Sequence, residues 1–267
     1  MPKVSVITIV HNGQEYIKEA IESILSQTFT DFEYIIIDDA SDDRTYELVS
    51  EQSIKDKRIS LHQNQRRLGI ALTRNRGVEI SSGKYIAWQD ADDVSFPNRL
   101  ESQVNFLDEN SEIGIVGGSL MFIGNKSRSI RKYPVHDFEI RKKILRYMPL
   151  AQPAAMIKSE IYSLIGGYND KCNTEDLEFL FRASRYFKMS NLDAPVILYR
   201  EHPKSFTFKN ARKLEIEATL MRLKSKLFGY QLNIFDYFYY SLQLITIFLV
   251  PQKLRIFLFK FFRNRSV

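Results

Sequence analysis

Cysteine is almost missing from this chain of 267 residues. Cys172 stands alone, which excludes a disulfide framework and a thiolate zinc site and fits a reducing compartment. The opening MPKVSVITIVHN lacks the basic start, apolar stretch and small-residue cleavage site of a secretory signal, so the bulk of the protein is expected in the cytoplasm. Glycine is scarce where a dinucleotide site would need it. A G-x-G-x-x-G loop should follow the first strand of such a fold, and only Gly13 is present there. The tail holds 16 uncharged residues from Tyr237 to Gln252, interrupted by polar side chains and Pro251, which falls short of a membrane span. There is no internal repeat and no low-complexity tract.

What is present is enough apolar material for a real core, 44% of the residues. KVSVITIV (3–10), EYIII (33–37) and KYIAW (84–88) are short, β-branched and almost wholly apolar, the pattern of strands buried on both faces. Between them, Tyr16, Ile17, Ala20, Ile21, Ile24 and Leu25 recur at helical spacing, as do the apolar residues of 68–80. Strands alternating with helices predict right-handed βαβ units and a Rossmann-like, mostly parallel central sheet flanked by helices, an α/β fold. Further along, the pattern predicts a helix over about 97–109, a strand over 113–123, a helix over 138–146 and a strand over 153–157. A helix capped by Thr174 follows, with Leu177, Leu180 and Phe181 facing inward, and then a strand over 194–199 ending in YREH.

Ligands of open parallel sheets sit at the carboxyl ends of the strands. Here those ends carry HNGQEY, DDAS and QDADD, two of them acidic. Acidic loops repel phosphate but can hold a divalent cation that binds it, and Mg²⁺ or Mn²⁺ suits carboxylate and phosphate oxygens. Asp90 and Asp92, two residues apart, can face one pocket, while Asp93 points elsewhere and could cap the next helix. An acidic triplet can equally be a solvated turn. Its position after a buried strand favours the metal.

The segments VSVITIVHNGQEYIKEAIESILSQTFTDFEYIIIDDASDDRT, NQRRLGIALTRNRGVEISSGKYIAWQDADD and GGYND…TEDLEFLFRA, in that order, resemble the family 2 inverting glycosyltransferases of GT-A fold, of the bacterial cell-surface polysaccharide type. The resemblance covers about residues 2–205. It implies a GT-A domain over 1–205, with a nucleotide-binding part to about 95 and an acceptor part over 96–205. It also implies that Asp39 receives the N3 hydrogen of a uracil base, and that His11 takes the place of a tyrosine beside that base. Glu15 and Arg74 would lie near the nucleotide; a helix-terminal acid and a surface arginine are the plainer alternatives. Asp90 and Asp92 match the DXD motif, with Asp92 the better metal ligand and His202 near the metal and diphosphate. Glu175 and Asp176 match an acceptor-side pair whose aspartate is the general base. On a helix the two point about 100° apart, so one serves as base and the other orients a sugar hydroxyl or caps the helix.

The expected reaction is transfer of a sugar, a hexose above all, from a nucleotide diphosphate-sugar, UDP-linked, to a glycan or lipid-linked saccharide, with Mn²⁺ or Mg²⁺ as cofactor. A nucleotidyltransferase and a degenerate membrane-bound scaffold are the alternatives. The first wants a glycine-rich basic loop that VHNGQEY does not provide. Intact acidic and E-D motifs weigh against the second.

Residues 206–267 form the remaining segment, a helical, basic and aromatic tail. Residues 204–267 hold 12 Lys or Arg against Glu215, Glu217 and Asp236, a net of +9, leaving −3 for residues 1–203. From Lys253 onward, Leu254, Phe257, Leu258, Phe261 and Phe262 share one helical face and Lys253, Lys260 and Arg263 another. That pattern predicts an interfacial helix holding the protein on the inner face of the cytoplasmic membrane, or else packing on the domain or a second subunit. Nucleic acid is not expected, because the phenylalanines form no base-stacking platform.

Overall fold

The computed structural model describes residues 1–123, 129–203, 205–251 and 254–255. Its first half is the predicted parallel unit. Strands β1 (Val4–Val10), β2 (Phe32–Asp38), β3 (Ile59–Gln63) and β4 (Tyr85–Trp88) lie in the order β3-β2-β1-β4, all parallel. Alternate side chains feed two cores. Val4, Val6, Tyr34 and Ile36 meet α1 (Ile17–Leu25), α2 (Thr45–Lys55) and α4 (Arg99–Glu109). Ile7, Ile35, Ile37 and Trp88 meet α3 (Ile70–Ile80) on the opposite face. Helices on both faces explain why these strands read as unbroken apolar runs. α3 sits close on the sheet at Gly77, where a Cβ would come within 2.7 Å of Ile7.

Beyond β4 the sheet continues in mixed sense. β8 (Met156–Lys158) runs antiparallel to β4 and to β6 (Ile113–Ile123), which pairs in parallel with β9 (Lys188–Arg200). The short strands β5 (Val94–Ser95) and β7 (Ile130–Arg131) add antiparallel edges on β9 and β6. Thus β5, immediately after the acidic loop, is tied to the far end of β9. That tie brings residues 90–93 beside residues 200–202.

Several element boundaries differ from the sequence expectation. The strand expected over 153–157 begins as a 3₁₀ turn, Gln152–Ala154, where Pro153 has no N–H for a ladder, and becomes β8 only at Met156. The helix α5 is Asp137–Lys143, and the strand expected over 194–199 is the end of the 13-residue β9. α2 and β3 were not anticipated. α2 buries only Thr45, Val49 and Gln52, too weak an apolar stripe to signal a helix. α6 (Glu160–Ile165) and α7 (Glu175–Ala183) cover the sheet beside α3, with Leu177, Leu180 and Phe181 buried as expected.

The tail forms α8 (Phe206–Leu223) and α9 (Ile234–Leu249). Inward groups tie both to the segment after α5. Arg222 Nε donates to Ile144 O at 2.9 Å, Tyr240 Oη to Leu145 O at 2.6 Å, and Asp236 pairs with Arg146. Asn233 and Asp236 form a reciprocal capping box at the start of α9. The expected helix from Lys253 lies outside the described residues except for Leu254 and Arg255.

Candidate active site

The carboxyl ends of β1, β2 and β4, the start of α7 and the end of β9 open into one cleft of about 2450 Å³. It is lined by His11, Glu15, Asp39, Arg74, Asp90, Asp92, Glu175, Asp176 and His202, whereas Asp93 lies buried outside the lining.

At its carboxyl end, β2 finishes in two aspartates with different work. Asp38 is buried and holds its own turn, accepting from the Ser41 hydroxyl and from Gln63 Nε2 at 2.9 Å. Asp39 turns into the cleft. Its Oδ1 accepts from Asn64 Nδ2 at 2.7 Å and Leu68 N at 2.8 Å, and its Oδ2 from Gly69 N at 2.9 Å. Gly69, at φ +88°, takes a backbone conformation that side chains resist, which lets both amides converge on the carboxylate. Burial alone would raise the Asp39 pKa, but these bonds and one from Thr73 outweigh it and hold the group ionised below its ordinary range. His11 Nδ1 lies 3.0 Å from Asp39 O, which fixes the ring beside it. Glu15 accepts from Tyr16 Oη at 2.7 Å at the cleft rim.

Among the described residues, Asp90, Asp92 and Asp93 place carboxylate oxygens within 4.8 Å of one another. Burial, and then repulsion from Asp92, push Asp90 up to about 6. Asp93 caps no helix. It is fully buried, and its Oδ1 accepts from Arg200 N at 2.9 Å, so it clamps the loop to β9. Arg200 Nε adds a bond to Asp92 O at 2.9 Å. His202 Nε2 then sits 2.8 Å from Asp92 Oδ2, and its ring rests 5.1 Å from that of Tyr16. Two half-buried carboxylates that repel each other, with an imidazole at hand, fit a hard divalent cation with open positions for phosphate.

Beneath this loop lies a residue that the sequence reading passed over. Arg99, fully buried, donates to Trp88 O at 2.6 Å, Gln89 Oε1 at 3.0 Å, Ser95 Oγ at 2.9 Å and Gln103 Oε1 at 3.2 Å. Burial drags its pKa down to about 10, opposed by the charges of Asp93 and Asp90. Arg99 thus ties the loop's polar groups together from below and, with Arg74, opposes the charge of Asp90. Its only local signal is the i,i+4 spacing to Gln103. Replacing it strands several acceptors and leaves the loop uncompensated, so Arg99→Met should lose about 3 kcal/mol in urea unfolding with an unchanged m-value.

At the start of α7, the acidic pair divides. Glu175 is buried with Oε1 2.6 Å from Arg74 Nη1, so it anchors α7 to α3. Burial pushes its carboxyl above the ordinary range, although Arg74 opposes this. The Arg74 guanidinium lies beside the touching rings of Trp88 and Tyr168, 5.4 and 5.5 Å from their centroids. Burial would lower its pKa, but Glu175, Tyr168, Asp90 and Asp176 outweigh that and keep it charged. Asp176 is only half-buried, with Oδ1 2.7 Å from Leu177 N and its carboxylate in the cleft. Thr174 occupies the N-cap position, but its hydroxyl makes no capping bond.

The raised Asp90 pKa gives a stability prediction. Folded Asp90 holds its proton more tightly than the unfolded chain does, so its stabilising share is complete below about pH 4 and is lost as pH rises through about 6. Asp90→Asn removes the charge at similar volume. Without added metal, its melting temperature should exceed that of the parent by about 2–4 °C near pH 7.5 and match it near pH 4.

The glycosyl transferase family 2 model matches residues 5–165. An uncharacterised glycosyltransferase of Methanocaldococcus jannaschii is 34% identical, over 74% of this chain and 71% of its own. A protein described as a glycosyltransferase, EpsE of Bacillus subtilis, is 33% identical over 93% of this chain and 90% of its own. Another from that organism, TuaG, described as a teichuronic acid biosynthesis glycosyltransferase, is 36% identical over 45% and 48%. Two solved structures share the fold at low identity. Staphylococcus aureus TarS 1–349 with UDP-GlcNAc superposes with a TM-score of 0.69 at 19% identity, covering 86% of this chain and 68% of that one. Its uncomplexed form is spanned over 64% of its length. A mannosyltransferase of Pyrobaculum calidifontis with GDP-Man and Mn²⁺ gives 0.65 at 16% identity, covering 93% and 70%.

Proposed function

The chain belongs to glycosyl transferase family 2, and from that premise we propose that it is an inverting, divalent-cation-dependent transferase of a hexose from a UDP-sugar to a saccharide acceptor in cell-surface polysaccharide synthesis. The observation that carries the reading is the placement of Asp39, the Asp90–Asp92 pair and Asp176 along one cleft. UDP-GlcNAc and GDP-Man with Mn²⁺ in the two solved structures, and teichuronic acid in the description of TuaG, support the donor class, the cation and the setting.

Asp39 Oδ2 accepts the uracil N3 hydrogen, and the His11 ring lies against the base. Asp90, Asp92 and His202 would hold Mn²⁺ or Mg²⁺, which when bound offsets charge on the leaving nucleotide diphosphate. Asp176 takes the proton of the acceptor hydroxyl as that oxygen attacks the anomeric carbon from the face opposite the diphosphate, inverting the configuration. Arg74 holds Glu175 and so fixes the first turn of α7, from which Asp176 projects.

Nucleotide release across a panel of UDP-, GDP- and TDP-sugars, with Mn²⁺ or with chelator, tests this. The expected result is a UDP-sugar preference and loss of turnover with chelator. Pyrophosphate release from a nucleoside triphosphate and a sugar phosphate would instead identify a nucleotidyltransferase. For the base contact, Asp39→Asn should raise KM for the UDP-sugar about tenfold and narrow the gap to other nucleotides, with kcat little changed.

A further inference from the structure

α9 is apolar on the wrong side for a helix that merely covers its own domain. Phe235, Phe238, Leu242, Ile245 and Leu249 recur at three- and four-residue spacing and are 76%, 70%, 49%, 53% and 77% exposed. The inward face carries Asp236, Tyr240 and Ile247, and two of these three make polar bonds to residues 145–146. Large aromatic and aliphatic side chains in one continuous outward stripe need a partner.

Charge identifies the partner. The Arg212 guanidinium lies 4.8 Å from the Phe248 ring centroid and Lys226 Nζ 5.8 Å from that of Tyr237, so cations stand at both ends of the stripe. The three acids of the tail are all engaged within the chain. Glu215 pairs with Arg255 at 2.8 Å, Glu217 accepts from Asn173 N at 2.7 Å, and Asp236 pairs with Arg146. An apolar stripe flanked by cations, its acids turned away, is complementary to an anionic lipid surface.

We propose that α9 lies flat in the headgroup–acyl boundary of an anionic membrane, with Phe235, Phe238, Ile245 and Leu249 inserted and Arg212 and Lys226 on lipid phosphates. At about 1.5 Å per residue its 16 residues extend some 24 Å along the surface. No described helix is long and apolar enough to cross a membrane. This docking element is additional to the helix expected from Lys253, of which only Leu254 and Arg255 are described, Arg255 being bonded to Glu215 and to Ile247 O and Val250 O.

The same helix walls the cleft, since Tyr239 and Ile247 line it together with Asp176. Docked in this way, the acceptor end of the cleft stands at headgroup level, within reach of a saccharide on a lipid carrier. That last step rests on the proposed glycosyl transfer; the docking does not.

Flotation of the full chain with vesicles is the test, comparing phosphatidylcholine mixed with phosphatidylglycerol against phosphatidylcholine alone. The parent should float with the anionic vesicles. Phe238→Glu/Ile245→Glu should lower binding about tenfold, and Arg212→Glu/Lys226→Glu about fivefold per cation, with circular dichroism and unfolding midpoint retained. Failure of the parent to float, equal flotation of parent and variants, or a dimer that Phe238→Glu/Ile245→Glu dissolves without any vesicle binding would overturn the proposal. A protein that floats but transfers no sugar refutes the catalytic reading and leaves this one standing.

Discussion

Asp176→Asn is expected to lower sugar transfer about 10³–10⁴-fold while leaving KM for the nucleotide-sugar within about threefold. The asymmetry follows from position. Asp39 and the Asp90–Asp92 pair lie at the ends of β2 and β4, and Asp176 at the start of a helix on the acceptor side, so the substitution leaves every proposed donor contact in place. What it removes is the group proposed to accept the proton of the attacking hydroxyl. An amide of nearly the same shape still accepts from Leu177 N, so α7 keeps its first turn. Glu175 offers no substitute, because Arg74 holds its carboxylate in a buried pair 2.6 Å long. Steady-state kinetics over the donor, with circular dichroism to confirm the fold, separate the outcomes. A fall confined to KM would move Asp176 to the donor side, and equal turnover would remove it from the chemistry.

Legibility in the sequence followed burial. β1, β2 and β4 are covered on both faces, so their β-branched runs stood out, and the loops at their ends could be located from them. α2 and β3 carry few buried apolar residues and left no such trace. The extension of β9 back to Lys188 was hidden because Asp193 and Ala194 are exposed and Pro195 interrupts the pattern. Contacts between distant residues were beyond local reading. Asp92 and His202 are 110 positions apart, and the family resemblance, not spacing, had suggested their neighbourhood. Arg99 and Arg200 had no such help. Their roles depend on Trp88 O, Asp92 O and Asp93 Oδ1, groups that sequence pattern does not place. The split within the E-D pair was half visible: helical geometry separates the two carboxylates, and the structure adds that Glu175 is the one paired with Arg74.

Asp92→Asn should cost about 10²–10³ in kcat/KM and abolish the response to metal. An amide oxygen can still accept from the His202 imidazole, so the fold at the cleft should survive, but a neutral group beside Asp90 leaves one carboxylate where two would face the proposed cation. Repulsion between the two also disappears. Because Asp92 is the second cause of the raised Asp90 pKa, after burial, its removal should lower that pKa. Two readouts therefore move in opposite directions. In calorimetry the parent should gain stability with Mn²⁺ and UDP together, and Asp92→Asn should gain little from either. Without metal near neutral pH the variant should melt above the parent, as expected for a site whose charges conflict until a cation arrives. A variant that loses activity but keeps the full Mn²⁺-dependent rise would place the cation elsewhere. A variant less stable than the parent in chelator would mean that Asp92 serves the fold through His202 rather than a cation.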